Sequence, residues 1–445
     1  MDASFLSLLQ CPQTKKDLRF FQDQLVSQDN KNKYPIWDQV PWVFPEPDHF
    51  AFYWQNKKNE FLNFHKIGAQ NIGVELKSGK NLSSLTVSRL ELLKKAHETN
   101  FQNLSTILKS LDQRGDAGYE VTIPSHQSLH IYRKNIFRDW GWETKENKIS
   151  VDLITEVLGV NWTPARFCVL GAGASRLAMD LHKEFRLPLT VAVDFNPLLL
   201  MVADKMLKGE RLFLYDFSAA AVEIESVVKL YELKSPLGPM QNFYLLCADV
   251  TDLPFKPYQF QSVLTPWLID ILPFNFRLLA QRVNQMLEIG GDWINFGPMG
   301  FSHQEEAFNL TRPEVHEQMR ECGFELEIEK VSQMKYLSAD DEVNSRNETV
   351  YVFKAKKIET VAVDGFSYLP SWLTDMNQAI PLSEALKQHQ QLIRFHADLF
   401  HSINGHVSVN QIAHLFSSHY KLPVETARSM ALSVLRQYEE SLKRK

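Results

Sequence analysis

The most constraining feature of this sequence is an apolar run that ends in a glycine turn and leads at once into a helix. The run is FCVLGAG at 167–173, and the helical segment is SRLAMDLHKEF at 175–185. Small residues at Gly171, Ala172 and Gly173 let the backbone approach a ligand closely, and the next helix start offers free N–H groups. The combination predicts a strand, turn and helix built to bind a nucleotide-like cofactor.

Strand and helix signals alternate beyond this turn. Apolar strands are predicted at 189–195, 243–250, within 260–270 and at 292–297, and helices at 197–207 and 276–291. Apolar strands that alternate with helices indicate a parallel sheet covered on both faces. The predicted fold class is therefore α/β, with a doubly wound, Rossmann-like sheet.

Two acidic residues end successive strands of this predicted sheet. Asp194 lies 21 residues after Gly173, and Asp249 is followed by Val250. The first acid can accept both ribose hydroxyls of an adenosine, and the second pair suits the adenine amino group and ring. Either acid alone is typical of a solvated strand end, but the ordered set favours a cofactor site. The set is the size of one adenosine, which fits S-adenosylmethionine better than a dinucleotide.

Composition narrows the function classes. The chain has 445 residues and a net charge of −5, so no overall basic excess points to nucleic acid or an anionic membrane. Its four cysteines are far apart, which argues against a disulfide framework and a cysteine-based zinc site. The start lacks a signal-peptide pattern, and no apolar run approaches the ~20 residues that span a bilayer. We expect a soluble, cytoplasmic protein.

Four segments differ in their patterns. Short, turn-rich β runs predict a small β unit at 1–48. Apolar residues spaced three and four apart predict a helical domain at 49–125, which Gly115 to Gly118 interrupts. The alternating strands and helices predict an α/β domain at 126–360, and a helical domain is predicted at 361–445. In the tail, Asn404-Gly405 is a turn signal, and Ser408 with Gln411 predicts a capping box.

The segment VLGAGASRLAMDL at 169–181 resembles the first motif of class I methyltransferases, in particular the carnosine N-methyltransferase family. Three further blocks resemble that family: 136–140 its R-D-W block, 265–270 its F-I-D block and 290–298 its G-G-x-W-I-N-x-G-P block. Four blocks in the same order make the resemblance specific. The same module occurs in ovothiol-type enzymes that methylate an imidazole.

The resemblance implies roles on the cofactor side. Arg138 would pair with the methionine carboxylate of S-adenosylmethionine, and Asn135, three residues earlier, would assist it. Thr265 is assigned to cofactor binding together with the glycine turn. The alternative for Arg138 is a surface ion pair with Asp139.

On the substrate side, the resemblance implies that Asp270 faces the methyl acceptor. On an imidazole it would hold the non-reacting N–H and fix the tautomer; the alternative is a helix N-cap. His303 follows the Gly-Pro loop, like the family's substrate-site histidine but offset by one residue, and a solvated loop histidine is the alternative. The polar segment 345–349 stands where the family has a tyrosine cluster, which favours a larger or more polar acceptor than carnosine.

The two ends resemble accessory domains. LLQCPQTKKDLRF with YPIWDQVPWVF resembles the zinc-ribbon-like activator domain of transfer-RNA and protein methyltransferases, but Thr14 stands where a second cysteine would be, so we predict no bound metal. The tail at 397–441 resembles small winged-helix domains that present precursor peptides, with a helical packing or dimerisation module as the alternative.

The sequence therefore predicts an S-adenosylmethionine-dependent methyltransferase that N-methylates an imidazole or amine nitrogen of a small molecule or peptide. Two alternatives remain: a peptide or protein side-chain methyltransferase of a peptide natural-product pathway, and an inactive scaffold. The expected partners are the methyl acceptor and a peptide or protein bound by the tail, without membrane or nucleic acid.

Overall fold

The chain forms two compact units, Met1–Phe366 and Ser367–Lys445. The computed structural model describes residues 2–45, 47–78, 81–112, 129–218, 221–303, 305–339, 346–363 and 377–444. The predicted interruption at Gly115 to Gly118 and the predicted boundary between 125 and 126 lie outside the described residues.

Thirteen strands are described, all of them in the first unit. They are β1 (Leu18–Phe21), β2 (Gln24–Ser27), β3 (Lys33–Trp37), β4 (Val40–Pro41), β5 (Phe167–Leu170), β6 (Thr190–Asp194), β7 (Leu212–Phe217), β8 (Val228–Leu233), β9 (Phe243–Cys247), β10 (Phe260–Pro266), β11 (Leu287–Gly297), β12 (Phe324–Tyr336) and β13 (Arg346–Lys357).

Twelve α-helices are described in the two units. They are α1 (Ala3–Leu6), α2 (Pro47–Lys77), α3 (Ser84–Ile107), α4 (Leu129–Trp140), α5 (Glu146–Leu158), α6 (Arg176–Glu184), α7 (Pro197–Leu207), α8 (Phe276–Met286), α9 (Arg312–Glu321), α10 (Glu384–Ser402), α11 (Val409–Tyr420) and α12 (Val424–Arg444). Short 3-10 turns lie at Lys109–Asp112, Ile224–Ser226, Val250–Asp252 and Glu306–Phe308.

A seven-stranded sheet forms the centre of the first unit, in the order β12-β13-β11-β10-β5-β6-β9. The five strands from β11 to β9 are parallel, and β13 and β12 add an antiparallel edge. All four residues of β5 are buried, as the continuous apolar run predicted. The α/β fold class is confirmed. The five parallel strands end at the same edge of the sheet, its C-terminal edge, and the glycine turn after β5 lies there too.

The helix predicted at 276–291 is too long. It begins at Phe276, after an Asn275 cap, but ends at Met286, because Leu287 is extended and already belongs to β11. Gly290 has a φ of 81°, and the pairing of β10 with β11 shifts register at this point. The two glycines therefore form an irregularity inside a strand rather than a helix stop.

A four-stranded antiparallel sheet at the N-terminus confirms the small β unit, and it is fastened to the central sheet. Trp42 pairs in parallel with Cys247 at the end of β9, and the Val43 N–H donates to the Cys247 carbonyl at 2.9 Å. The Gln10 N–H donates to the Pro254 carbonyl at 2.9 Å. The N-terminal unit is therefore hydrogen-bonded to the chain on both sides of Asp249, at Cys247 and at Pro254.

The described part of the predicted helical domain consists of the long helices α2 and α3. A hairpin of β7 and β8, which the sequence did not predict, packs on α3. Asn100 on α3 holds the hairpin, because its side chain donates to the Tyr215 carbonyl and accepts the Tyr215 N–H, both at 2.8 Å.

The second unit contains three helices, α10 to α12, in its described residues. Phe395, Leu399, Ile412, Phe416, Ala427 and Ala431 form its core. Ser408 and Gln411 make the predicted capping box at the start of α11. The helical part of the prediction is confirmed, and residues 377–444 contain no strand that would form a wing.

Within the described residues, no helix combines the length and apolar character required to cross a bilayer.

Candidate functional site

The glycine turn is held by backbone hydrogen bonds and uses left-handed conformations. Gly171, Gly173 and Ser175 have φ values of 74°, 58° and 67°. The N–H groups of Gly171 and Ala172 both donate to the Val193 carbonyl at 2.9 Å, so the turn is fixed to β6. The positive φ values explain the two glycines, since side chains are disfavoured in that region.

Asp194 lies directly beside this turn, as the sequence predicted for a strand-end acid. Its Oδ2 accepts the Gly173 N–H and its Oδ1 accepts the Asn196 N–H, each at 2.7 Å. Burial raises the pKa of Asp194 to about 6, against the lowering effect of these hydrogen bonds. Each carboxylate oxygen retains a second lone pair, so the group can still accept ribose hydroxyls.

Helix α4 brings Arg138 over the glycine turn. A Cβ placed on Gly173 would lie 3.9 Å from Arg138 Nη2. Arg138 Nε donates to Asp139 Oδ1 at 2.7 Å and lies 3.8 Å from Glu146 Oε1. Burial opposes the charge, but these carboxylates keep the pKa of Arg138 above its ordinary value. Asn135 lies one helical turn earlier on α4.

Asp249 and Val250 lie after β9, at the same edge of the sheet. Asp249 Oδ1 accepts the Thr251 N–H at 2.8 Å, which starts a 3-10 turn at Val250. Burial raises the pKa of Asp249. The N-terminal unit is bonded to the strand just before this acid, at Cys247, and to the segment just after it.

Asp270 lies beyond β10, in the turn before α8. Its Oδ2 accepts the Gly300 N–H at 2.9 Å. Its Oδ1 is buried and has no hydrogen-bond partner among the described residues. Burial raises the pKa of this carboxyl, and Glu348 adds to that rise while Arg346 opposes it. Asp270 does not cap α8, because Asn275 holds that position, so the N-cap alternative is excluded.

A family model for carnosine N-methyltransferase matches residues 119–359, which is more than half of the chain. The chain belongs to the carnosine N-methyltransferase family. It is therefore an S-adenosylmethionine-dependent methyltransferase, and the inactive-scaffold alternative is set aside.

Solved structures of other methyltransferases are similar to about half of this family member. An S-adenosylmethionine-dependent methyltransferase from Methanosarcina mazei is 12% identical, with 46% of this chain and 97% of that protein covered and a TM-score of 0.31. The N-methyltransferase NodS from Bradyrhizobium japonicum WM9, in complex with S-adenosyl-L-homocysteine, is 11% identical, with 50% and 91% covered and a TM-score of 0.32. No protein with a curated description matches the chain.

The residues of this family member fit S-adenosylmethionine. The turn presents backbone without side chains at Gly171 and Gly173, below the Arg138 guanidinium. Three buried polar atoms at this edge have no hydrogen-bond partner among the described residues: Asp139 Oδ2, Ser175 Oγ and Asn196 Nδ2. Such atoms are costly unless a ligand or water satisfies them.

Thr265 occupies a different environment from the other predicted cofactor residues. Its side chain is fully buried in β10, and its hydroxyl accepts from Trp293 Nε1 at 3.1 Å. The same oxygen lies 3.2 Å from Asn295 Oδ1, to which it donates. The hydroxyl is thus engaged between β10 and β11, and a cofactor-binding role for Thr265 stays a prediction.

His303 follows the loop that contacts Asp270. Its backbone N–H donates to Asn309 Oδ1 at 2.6 Å, and its ring packs against Phe301 and Phe308, with centroids 6.3 and 6.0 Å apart. The loop is linked to Asp270 through Gly300, three residues before His303. Its role toward substrate stays a prediction.

Two aromatic groups near the site were not predicted. Trp267 stacks on Tyr336, with ring centroids 3.9 Å apart, and the two rings form an aromatic wall beside the polar segment, since Arg346 lies over the Tyr336 ring. Phe195, directly after Asp194, contacts a cluster from the N-terminal part of the chain: Phe44, Phe50, Tyr53 and Trp54. The Trp-Leu-Ile-Asp block was a local signal that could have drawn attention to Trp267. The cluster around Phe195 has no such signal, because it depends on contacts between distant segments.

The predicted metal-free state of the N-terminal unit concerns Cys11. Its sulfur lies 3.0 Å from the Tyr34 hydroxyl and accepts the Thr14 N–H and the Asn32 side-chain N–H, both at 3.3 Å. The expected absence of metal stays a prediction. The described residues contain no group of three or more His, Cys, Asp or Glu that could hold a metal ion.

Proposed function

We propose that this methyltransferase methylates an imidazole or amine nitrogen of a small molecule or a peptide. The observation that carries the proposal is Asp270, whose Oδ2 is fixed by the Gly300 N–H while its Oδ1 is buried without a partner among the described residues. A buried acceptor atom of this kind suits an N–H donor of the substrate. Asp270 does not cap α8, because Asn275 occupies the N-cap position of that helix.

The residues on the cofactor side would bind and orient S-adenosylmethionine. Arg138 would hold its carboxylate, and Asp194 its ribose, with Asp249 and Val250 beside the adenine. When bound, S-adenosylmethionine supplies a methyl group on a sulfonium that leaves readily. The task left to the chain is therefore mainly alignment of the acceptor nitrogen with that methyl.

Asp270 would perform this alignment on the acceptor side. On an imidazole, its carboxylate would accept the N–H of the non-reacting nitrogen, which leaves a lone pair on the other nitrogen. The same charge would stabilise the positive charge that develops on the ring as it gains the methyl. On an amine, Asp270 would take the proton, with His303 as the second candidate.

The acceptor we propose is more polar or larger than carnosine. Arg346 and Glu348 form an ion pair where the family has tyrosines. Burial raises the pKa of Asp270, Glu348 raises it further and Arg346 lowers it. The Arg346 guanidinium also lies over the Tyr336 ring, 5.4 Å from its centroid. These charges favour a substrate that carries polar groups next to the reacting nitrogen.

A second candidate function is methylation of a peptide or protein side chain. The observation that favours it is a set of large apolar side chains that stay exposed in the second unit: Leu392, Ile393, Ile403 and Leu415 are 54%, 52%, 45% and 58% exposed. Large exposed patches of apolar side chains are typical of interaction surfaces. We propose that this unit binds a peptide, either as acceptor or as a partner.

The proposal is tested by a screen with labelled S-adenosylmethionine. Candidate acceptors are histidine-containing dipeptides, histidine-containing peptides and matched peptides in which the histidine is replaced by alanine. We expect mass spectrometry of the product to place the label on nitrogen. Transfer that is lost with the alanine peptides would assign the label to the imidazole, and transfer that is kept would assign it to an amine. Label on an oxygen or a carbon atom would contradict the proposal, and label only on longer peptides would favour the second candidate.

A further inference from the structure

Glu146 connects the cofactor side of the site to its acceptor side. It is the first residue of α5 and only 5% exposed. Its Oε2 accepts the Leu337 N–H at 3.0 Å, directly after Tyr336 of the aromatic wall. Its Oε1 lies 3.8 Å from Arg138 Nε. One buried carboxylate therefore contacts both the proposed cofactor-binding arginine and the end of β12.

Arg138 is already shared by two buried carboxylates. Asp139, which is 2% exposed, accepts from Nε at 2.7 Å, and Glu146 is the more distant of the two. Nη2 faces Gly173 of the glycine turn. The guanidinium therefore has one side occupied by acids and the other side directed at the place where a cofactor carboxylate would bind.

We propose that Glu146 is a positioning residue that holds Arg138 toward the glycine turn and takes up a proton when the cofactor carboxylate binds there. The inference rests on the proposed binding role of Arg138. A third carboxylate on one guanidinium would leave an excess of negative charge in a buried cluster, and such a cluster binds a proton instead. The proton comes from solvent and resides on the Glu146 carboxyl group.

Glu146 is better suited than its neighbours to take this proton. Asp139 accepts a hydrogen bond from Arg138 Nε at 2.7 Å, whereas Glu146 Oε1 lies 3.8 Å from the same nitrogen. Burial raises the pKa of Glu146 to about 7, against the opposing effect of Arg138. Among the described residues, Tyr336 also faces the cluster, and burial raises its pKa. Arg176 donates to the Asp139 carbonyl at 3.0 Å and is paired with Asp180, so α6 adds a charge-balanced pair.

Calorimetric titration with S-adenosylhomocysteine tests the inference. Binding is measured for the wild type and Glu146→Gln between pH 6.5 and 8.5, each in two buffers of different ionisation enthalpy, which yields the protons taken up. The Gln amide can still accept the Leu337 N–H, and Glu156→Gln is the matched control on the exposed side of α5. The amino group of the ligand titrates equally in all three proteins and cancels.

We expect the wild type to take up about half a proton more than Glu146→Gln near pH 8. Since proton uptake favours binding at low pH, wild-type affinity should fall relative to that of the variant as pH rises, by at most tenfold per pH unit. Glu156→Gln should behave as the wild type. In the wild type alone, decarboxylated S-adenosylhomocysteine, which keeps the amino group but lacks the carboxylate, should bind without this uptake.

Equal proton uptake in the wild type and Glu146→Gln, or equal uptake with both ligands in the wild type, would overturn the inference. The comparison of ligands in the wild type decides the matter if Glu146→Gln does not fold. Arg138→Gln separates the two proposals. If it binds S-adenosylhomocysteine as tightly as the wild type, the proposed role of Arg138 fails; if it binds weakly while Glu146→Gln follows the wild type, only the inference about Glu146 fails.

Discussion

Asp194 illustrates how single residues of this site combine structural and ligand-binding contacts. Its two oxygens hold the N–H groups of Gly173 and Asn196, which fixes the glycine turn to the end of β6. The same oxygens are proposed to accept the ribose hydroxyls. From the sequence alone one would expect a free strand-end acid, whose removal leaves folding unchanged; the structure changes that expectation.

Asp194→Ala should therefore weaken both cofactor binding and the fold. We expect a loss of about 1.5–3 kcal/mol in binding free energy, from charge-assisted hydrogen bonds to the ribose. We also expect about 1–3 kcal/mol less stability, because two backbone N–H groups lose their acceptor. Titration calorimetry and urea unfolding measure the two effects, with Asp152→Ala on the exposed face of α5 as control.

The pH dependence of the same residue provides a second measurement. Because burial raises the pKa of Asp194 to about 6, the charged form that binds the ribose is lost as pH falls through 6. Wild-type affinity for S-adenosylhomocysteine should decline below that pH, and Asp194→Asn should lack this decline. A dissociation constant that Asp194→Ala leaves unchanged would remove the residue from the site.

At the scale of elements, the end of β11 is pressed against the turn after β10. The Trp267 N–H donates to the Phe296 carbonyl at 2.7 Å, and Trp267 itself has a φ of 52°. Gly297 has a φ of 154°, and a Cβ there would lie 2.9 Å from Trp267 N and 3.0 Å from its Cα. Gly297 of the family-like block thus has a packing reason, since a side chain there would displace Trp267, which lies three residues before Asp270.

Gly297→Ala should destabilise the first unit through this contact. We expect a cost of about 1–3 kcal/mol from overpacking in addition to backbone strain. Gly159→Ala is the matched control, because Gly159 has a φ of 76° but open space around its Cβ position. Urea midpoints measure both variants. Equal destabilisation by the two would show that the Trp267 contact carries no cost beyond strain.

The elements that could be predicted are those whose signal is local. The buried strands β5, β6 and β9 and the capped helices α7 and α11 were predicted because apolar runs and cap residues lie within one segment. The hairpin of β7 and β8 was missed because Asn100, over a hundred residues away, supplies the hydrogen bonds that hold it. Helix α8 was predicted too long because pairing with Phe260 of β10 extends Leu287 into a strand.

The same distinction applies to the site. Gly171, Gly173 and Asp194 are set by strand-end spacing, which is visible in the sequence. Glu146 and the stack of Trp267 on Tyr336 arise from tertiary contacts between α5, β10 and β12, which no local pattern encodes. Thr265 resembled a site residue by its motif, but its hydroxyl is engaged with Trp293.

At the scale of the whole molecule, the chain separates the proposed chemistry from the proposed peptide binding. The site residues lie in the first unit, and the exposed apolar side chains of α10 and α11 lie in the second. Each unit has its own described core, so each should fold with little dependence on the other.

A chain shortened to residues 1–363 should therefore keep its cofactor site. We expect S-adenosylhomocysteine affinity within a few-fold of the full chain, because no proposed cofactor residue is removed. If the second unit binds peptides, the KM for a peptide acceptor should rise by at least tenfold, while a small acceptor is methylated normally. Full-chain Leu415→Glu is the matched variant, and an unchanged KM for peptides in both proteins would contradict the peptide-binding role.

The measurement that tests the account most directly is turnover by Asp270→Asn on a verified acceptor. The substitution keeps the size of the side chain and its contact with Gly300 but removes the charge that orients the acceptor nitrogen. We expect kcat to fall about 10²–10⁴-fold, the range of general-base effects, while S-adenosylhomocysteine affinity stays within a few-fold. Asp152→Asn, on the exposed face of α5, should leave both values unchanged. Normal turnover by Asp270→Asn would contradict the role of Asp270 in methyl transfer.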